Sequence, residues 1–119
     1  MAKSYQDLVK EAKSQAEQTD AEAVHAALNS GENVTIVDVR EPAEWDESHI
    51  AGAQLIPRGL LEYQAADKLP DKNARIVVHC ALGGRGALAA QSLKEMGYEN
   101  VANMDGGVKG WREKGYETE

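Results

Sequence analysis

Apolar residues fall in short blocks separated by polar, turn-forming stretches, and the period inside the blocks switches between that of a strand and that of a helix. Residues 34–39 and the run Ile76, Val77, Val78 are rich in β-branched side chains and of strand length, which predicts strands buried on both faces. Ala23, Val24, Ala27 and Leu28 recur at helical spacing behind a Thr19-Asp-Ala-Glu22 capping box, and Asn29-Ser30-Gly31 ends them. A second helical stripe runs from Gly86 through Ala89, Ala90, Leu93 and Met96, with Gly97 placed as the left-handed residue that terminates it. Pro42 suits the first turn of a short helix through Trp45, and residues 53–56 suit a short strand.

Pro57-Arg58-Gly59 turns into a helical piece around Leu60, Leu61 and Tyr63, and residues 65–74 read as a polar connection. Residues 100–103 are strand by their place between two helices, and Asp105-Gly106-Gly107 opens a last helix carrying Trp111. Residues 4–18 contain no glycine or proline and favour helix by propensity, but Leu8, Val9, Ala12 and Ala16 make only a thin apolar stripe, so this helix is expected on the surface. Strands separated by helices imply an α/β fold with a mainly parallel sheet and right-handed crossovers. In such sheets ligands bind beyond the carboxyl ends of the strands.

The 119 residues suffice for one domain. Thirteen Lys and Arg against twenty Asp and Glu leave a net charge of −7, which argues against nucleic acid or an anionic membrane as partner; solubility is the simpler account of it. No apolar run reaches the roughly 20 residues of a membrane span, and the start Met-Ala-Lys-Ser-Tyr-Gln lacks a secretory apolar region. The expected location is the cytoplasm. A single cysteine cannot form an internal disulfide and suits a reducing compartment. His25 has no metal-ligand spacing around it and reads as an edge residue.

That cysteine, Cys80, stands between the second buried strand and the Gly86 helix, in the loop Cys80-Ala81-Leu82-Gly83-Gly84-Arg85-Gly86. Unpaired N–H groups and the positive end of the helix dipole favour thiolate over thiol there. Gly83 and Gly84 let the backbone curl with its amides inward, a nest for an anion, and Arg85 adds a fixed cation. The competing reading is an inert cysteine buried at a strand end.

Cys80-x-x-Gly83-x-Arg85, after Val-Val-His and before a helix, resembles the active-site loop of the rhodanese-like sulfurtransferases. Two further stretches agree: Val37-Asp38-Val39-Arg40-Glu41-Pro42-Ala-Glu44-Trp45 with residues 48–57, and Asp105-Gly106-Gly107 through Trp111 to Tyr116. The likeness covers residues 19–116. It implies a rhodanese-like three-layer fold with a central sheet flanked by helices, residues 19–119 as the domain and 1–18 as a helical extension, and no metal or organic cofactor. It also implies that Asp38 and Arg40 brace the framework and that His49 is structural rather than a general base. The implied chemistry makes Cys80 the nucleophile. It takes a sulfane sulfur from a small donor, thiosulfate or a persulfide, holds it as a persulfide among the amides of Ala81 to Gly86, and passes it to cyanide, a thiol or a sulfur-relay protein. Arg85 is an anion and loop-shaping contact. Arg58 reads either as an anion contact bordering the pocket or as a solvated loop charge, and Trp111 as a packing residue under the loop whose indole is also a candidate border of the pocket.

Two other classes compete. Cysteine-dependent phosphatases place five residues between Cys and Arg, whereas here there are four, Ala81 to Gly84, too few to wrap a phosphoryl group. Rhodanese-like folds also serve as non-catalytic interaction modules, although inactive members often lack the cysteine. Gly86 stands where many active members carry a small polar residue, and Ala81 and Leu82 bring no charge. Thiosulfate is therefore expected to be a surrogate for a persulfide donor.

Overall fold

The computed structural model describes residues 2–119. Five parallel strands form one sheet in the order β1, β5, β4, β2, β3, with β1 at Glu17–Asp20, β2 at Val34–Asp38, β3 at Gln54–Leu55, β4 at Arg75–His79 and β5 at Val101–Asp105. The helices are α1 (Tyr5–Gln15), α2 (Ala21–Asn29), α3 (Pro42–Glu47), α4 (Leu61–Lys68), α5 (Gly84–Glu95) and α6 (Gly107–Glu113), and a 3₁₀ turn at Arg58–Leu60 leads into α4.

Alternation along the central strands divides the core between two faces. Val37, Val39, Ile76 and Val78 pack with Leu61 and Ala65 of α4 and Ala89, Ala90 and Leu93 of α5. Ile36, Val77 and Met104 pack instead with Val24 of α2 and Val108 and Trp111 of α6. The result is the three-layer arrangement expected of buried parallel strands. Gly97 ends α5 at φ 97°, with the Tyr98 amide donating to the Leu93 carbonyl.

Four local expectations are corrected. The first helix stops at Gln15, and the polar residues 17–20 form an edge strand on β5, spanning the expected boundary between residues 18 and 19. This strand lacks an apolar face, so its pairing partner rather than its own pattern specifies it. Thr19 lies inside that strand, and the cap of α2 is Asp20, whose carboxylate accepts from the Ala23 amide at 2.9 Å. The expected connection at 65–74 is helical as far as Lys68, because Ala65 continues the buried stripe begun by Leu61. Finally, α5 starts at Gly84 rather than Gly86, which shortens the loop.

Helix α1 lies against α5 with Ala12 fully buried. Lys13 to Asp105 at 2.9 Å and Lys94 to the Gln15 carbonyl at 2.6 Å fasten it. Among the described residues no helix is long and apolar enough to cross a membrane.

Candidate active site

Cys80 follows the last residue of β4, at the carboxyl end of the sheet, and the chain reaches α5 after only Ala81, Leu82 and Gly83. Gly83 adopts φ 148°, open in practice only to glycine, and its amide donates to the Cys80 sulfur at 3.1 Å. A side chain at Gly83 would also run into the Asp105 carboxylate, 2.8 Å from the position of a Cβ. The Val108 amide bonds the Cys80 carbonyl at 2.9 Å, and the Lys109 amide bonds the Ala81 carbonyl at 3.1 Å. The first turn of α6 thereby holds the loop carbonyls. Gly107 must be glycine for this approach, since a Cβ would sit 2.6 Å from the Ala81 carbonyl carbon. The amides of Gly84, Arg85 and Gly86 belong to the first turn of α5, where no earlier helical carbonyl can reach them.

The sulfur is deeper than the sequence suggests. Cys80 is only 2% exposed, whereas Leu82 at the tip of the loop is 62% exposed. Beneath the loop, Asn103 of β5 donates to the Gly83 backbone carbonyl over a long 3.4 Å and to the Gln18 side-chain Oε1 at 2.9 Å, while its own oxygen has no donor. That oxygen lies against Gly86, where a Cβ would also meet His79 Cα at 3.2 Å and Cys80 N at 3.3 Å. The glycine at 86 thus makes room for Asn103.

His79 is fully buried, and its Nδ1 lies 3.0 Å from the Cys80 carbonyl. A carbonyl only accepts, so Nδ1 carries the proton and Nε2 is a bare acceptor, 3.9 Å from Asp38 Oδ2. Burial pushes the imidazole below its ordinary value, overcoming the attraction of Asp38. Asp38 is engaged elsewhere: Arg40 donates to its carboxylate from Nε at 2.9 and 3.0 Å and from Nη2 at 2.7 Å, and Nη2 also reaches the Ser48 carbonyl at 2.8 Å.

Arg85 bonds Glu44 of α3 in a fork, Nη1 to Oε1 at 2.7 Å and Nη2 to Oε2 at 3.0 Å. Oε1 accepts in addition from the Glu41 amide at 3.0 Å, closing the capping box of α3. The Arg85 hydrogen bonds hold the Glu44 carboxyl down at about 2, with partial burial opposing them and the Glu41 amide assisting. The same bonds raise the guanidinium above its ordinary value.

Ala81, Leu82 and Gly83 form the short loop after Cys80, and Gly84, Arg85 and Gly86 form the first turn of α5; of these, Gly83 makes the hydrogen bond to the Cys80 sulfur. Arg58 does not join them. It pairs with Glu62 at 2.8 Å and touches Ser92 at 3.2 Å, seven residues along α5 from Arg85 and so roughly 10 Å down the helix axis. Trp111 is buried on the α2–α6 face, donates to the Glu117 carbonyl at 2.9 Å and meets His25 and Tyr116 edge to face, so it borders the core and not the loop. His49 stacks on Trp45 at 3.5 Å, with Nδ1 on the Trp45 carbonyl, as a structural residue.

Three contributors were missed. Glu44 has no local signal, being 41 residues from its partner. His79 and Asn103 had one, a polar residue inside an otherwise buried strand.

Known proteins carry the same framework. The model of the rhodanese-like domain matches residues 20–114. The probable adenylyltransferase/sulfurtransferase MoeZ of Mycobacterium tuberculosis is 41% identical over 86 residues, covering 71% of this chain and 21% of that protein. The chain therefore spans about a fifth of that relative's length. The thiosulfate sulfurtransferase PspE of Escherichia coli is 38% identical over 73 residues, 61% of this chain and 69% of PspE. A solved Rhodopseudomonas palustris protein of unknown function, described as a possible tyrosine phosphatase, superposes with a TM-score of 0.89 at 31% identity, covering 100% of this chain and 96% of its own. With a motif-bearing loop, a five-stranded parallel sheet and the family model all in agreement, the chain belongs to the rhodanese-like domain family.

Proposed function

We propose that the protein is a sulfurtransferase that carries a sulfane sulfur on Cys80. The observation behind this reading is the Gly83 amide directed at the Cys80 sulfur at 3.1 Å, at the open N-terminus of α5, with the neighbouring carbonyls held by α6. Such a cradle favours an anionic sulfur, first the thiolate and then the terminal sulfur of a persulfide. With thiosulfate as donor, the thiolate attacks the outer sulfur and the S–S bond of the donor breaks toward sulfite. With a persulfide donor, a thiol leaves instead. The names of MoeZ and PspE support this class of reaction, and a sulfur-relay protein is a fitting acceptor. Arg85, bound to Glu44, ties the loop to α3.

Intact-mass measurement after exposure to thiosulfate or a persulfide donor is expected to show one added sulfur on the wild-type chain and none on Cys80→Ser. Sulfur transfer to cyanide that survives Cys80→Ser would overturn the assignment. A second reading, a non-catalytic binding module, is favoured by the 2% exposure of Cys80. No sulfur uptake from any donor would establish it instead. Phosphatase chemistry, suggested by the Rhodopseudomonas relative's description, is disfavoured by the four-residue spacing. Turnover of p-nitrophenyl phosphate is expected to be negligible, and robust turnover lost in Cys80→Ser would reverse that view.

A further inference from the structure

Arg85 is the single cation of the loop between Cys80 and Gly86, and both of its terminal nitrogens are already bound to one carboxylate. Glu44 is also held by the Glu41 amide, so the pair stays in place without a ligand. After Glu44, the Cys80 sulfur and the Tyr5 hydroxyl, which α1 brings against Gly84, add smaller electrostatic contributions at the guanidinium. Once Cys80 is ionised, Arg85 is opposed by two anions and the mouth of the site carries net negative charge. What remains to receive a donor's charge is the set of first-turn amides of α5, equivalent to about half an elementary charge.

We infer that Glu44 is a specificity-determining residue: by neutralising Arg85 it selects donors of low charge, persulfides and thiosulfonates, over the dianion thiosulfate. This rests on the sulfur-transfer reading. For a persulfide RS–SH, the Cys80 thiolate attacks the outer sulfur, and the new S–S bond forms as the old one breaks. The bonding pair leaves on RS⁻, which takes up the proton to give RSH. For a thiosulfonate, the leaving group is the sulfinate. Charge and atoms balance in both cases, and no external oxidant or reductant enters.

The test compares thiosulfate with methanethiosulfonate, which resembles it in shape but has a methyl group in place of one charged oxygen. The full chain is assayed as wild type, Glu44→Gln and Glu44→Asp, and the KM ratio of the two donors is read, so that any loss common to both cancels. Glu44→Gln keeps a hydrogen-bonding oxygen but frees the Arg85 charge, and should lower the thiosulfate-to-thiosulfonate KM ratio about three- to fivefold. Glu44→Asp keeps the charge and should stay near the wild-type ratio. In wild type, where the mouth is net negative, the thiosulfate KM should fall as salt screens the repulsion, and in Glu44→Gln that fall should be largely lost because the freed Arg85 charge balances the thiolate. An unchanged ratio in Glu44→Gln, or equal shifts in both variants, overturns the inference. Intact mass separates the two levels: sulfur uptake with an unchanged ratio refutes the role of Glu44 alone, and no uptake from either donor refutes the sulfur-transfer reading and this inference with it.

Discussion

Two arginine–carboxylate pairs stand at the carboxyl end of the sheet, and they differ in little except burial. Arg40 and Asp38, at the end of β2, have side chains 4% and 0% exposed; Arg85 and Glu44, between α5 and α3, are 33% and 34% exposed. Both are bidentate, with shortest contacts of 2.7 Å. The first has exchanged water for a fixed set of partners, including the Ser48 carbonyl and the backbone amide of Arg40 itself. Removing one member would strand the other as a buried charge. The second keeps part of its hydration, so it can be altered with little consequence for the fold while still controlling the field at the loop. The same chemical unit is framework in one place and a tuning element in the other.

The comparison is broken most severely by Asp38→Asn, which leaves the Arg40 guanidinium buried without its counter-charge. A loss of roughly 3–5 kcal/mol is expected in denaturant unfolding. A loss under about 1 kcal/mol would show that this pair too is replaceable at little cost.

The buried side is sharpened by pH. His79 beside Asp38 is held neutral in the fold, while the unfolded imidazole titrates near 6.5. The unfolded state therefore binds more protons, and stability falls as pH drops below 6.5, by up to about 1.4 kcal/mol per unit. Melting temperatures between pH 7.5 and 5 should show that slope, and His79→Gln should flatten it. An unchanged slope in the variant would assign the effect to other groups.

On the exposed side, Glu44→Gln should cost less than about 1 kcal/mol of stability at neutral pH. The Glu44 carboxyl is depressed from 4.5 to about 2, so its contribution is full above 4.5 and fades as pH falls from there toward 2. The wild-type advantage over the variant should shrink across that interval. A neutral-pH loss comparable to that of Asp38→Asn would erase the distinction between the two pairs.

Much of this was legible in the sequence. The β-branched runs at 34–39 and 76–78 announced doubly buried strands because their side chains are apolar on both faces. Gly83 beside a lone cysteine announced the loop, since its conformation excludes other residues. Elements without such local patterning were not legible. Edge strand β1 is polar throughout and exists through its hydrogen bonds to β5. Arg58 and Trp111 were compatible with the pocket by position along the chain, but Arg58 packs along the outer turns of α5 and Trp111 beneath the opposite face of the sheet.

By itself, the sequence determined the layered α/β class, the buried central strands and the glycine-rich loop that carries the lone cysteine, because periodicity, capping residues and glycine conformation act over a few neighbouring residues. Only the tertiary structure decided that Cys80 lies under its loop, that α6 holds the loop carbonyls and that Glu44 occupies Arg85. Those are contacts between residues remote in the chain, set by how the packed layers meet and carried by no local pattern.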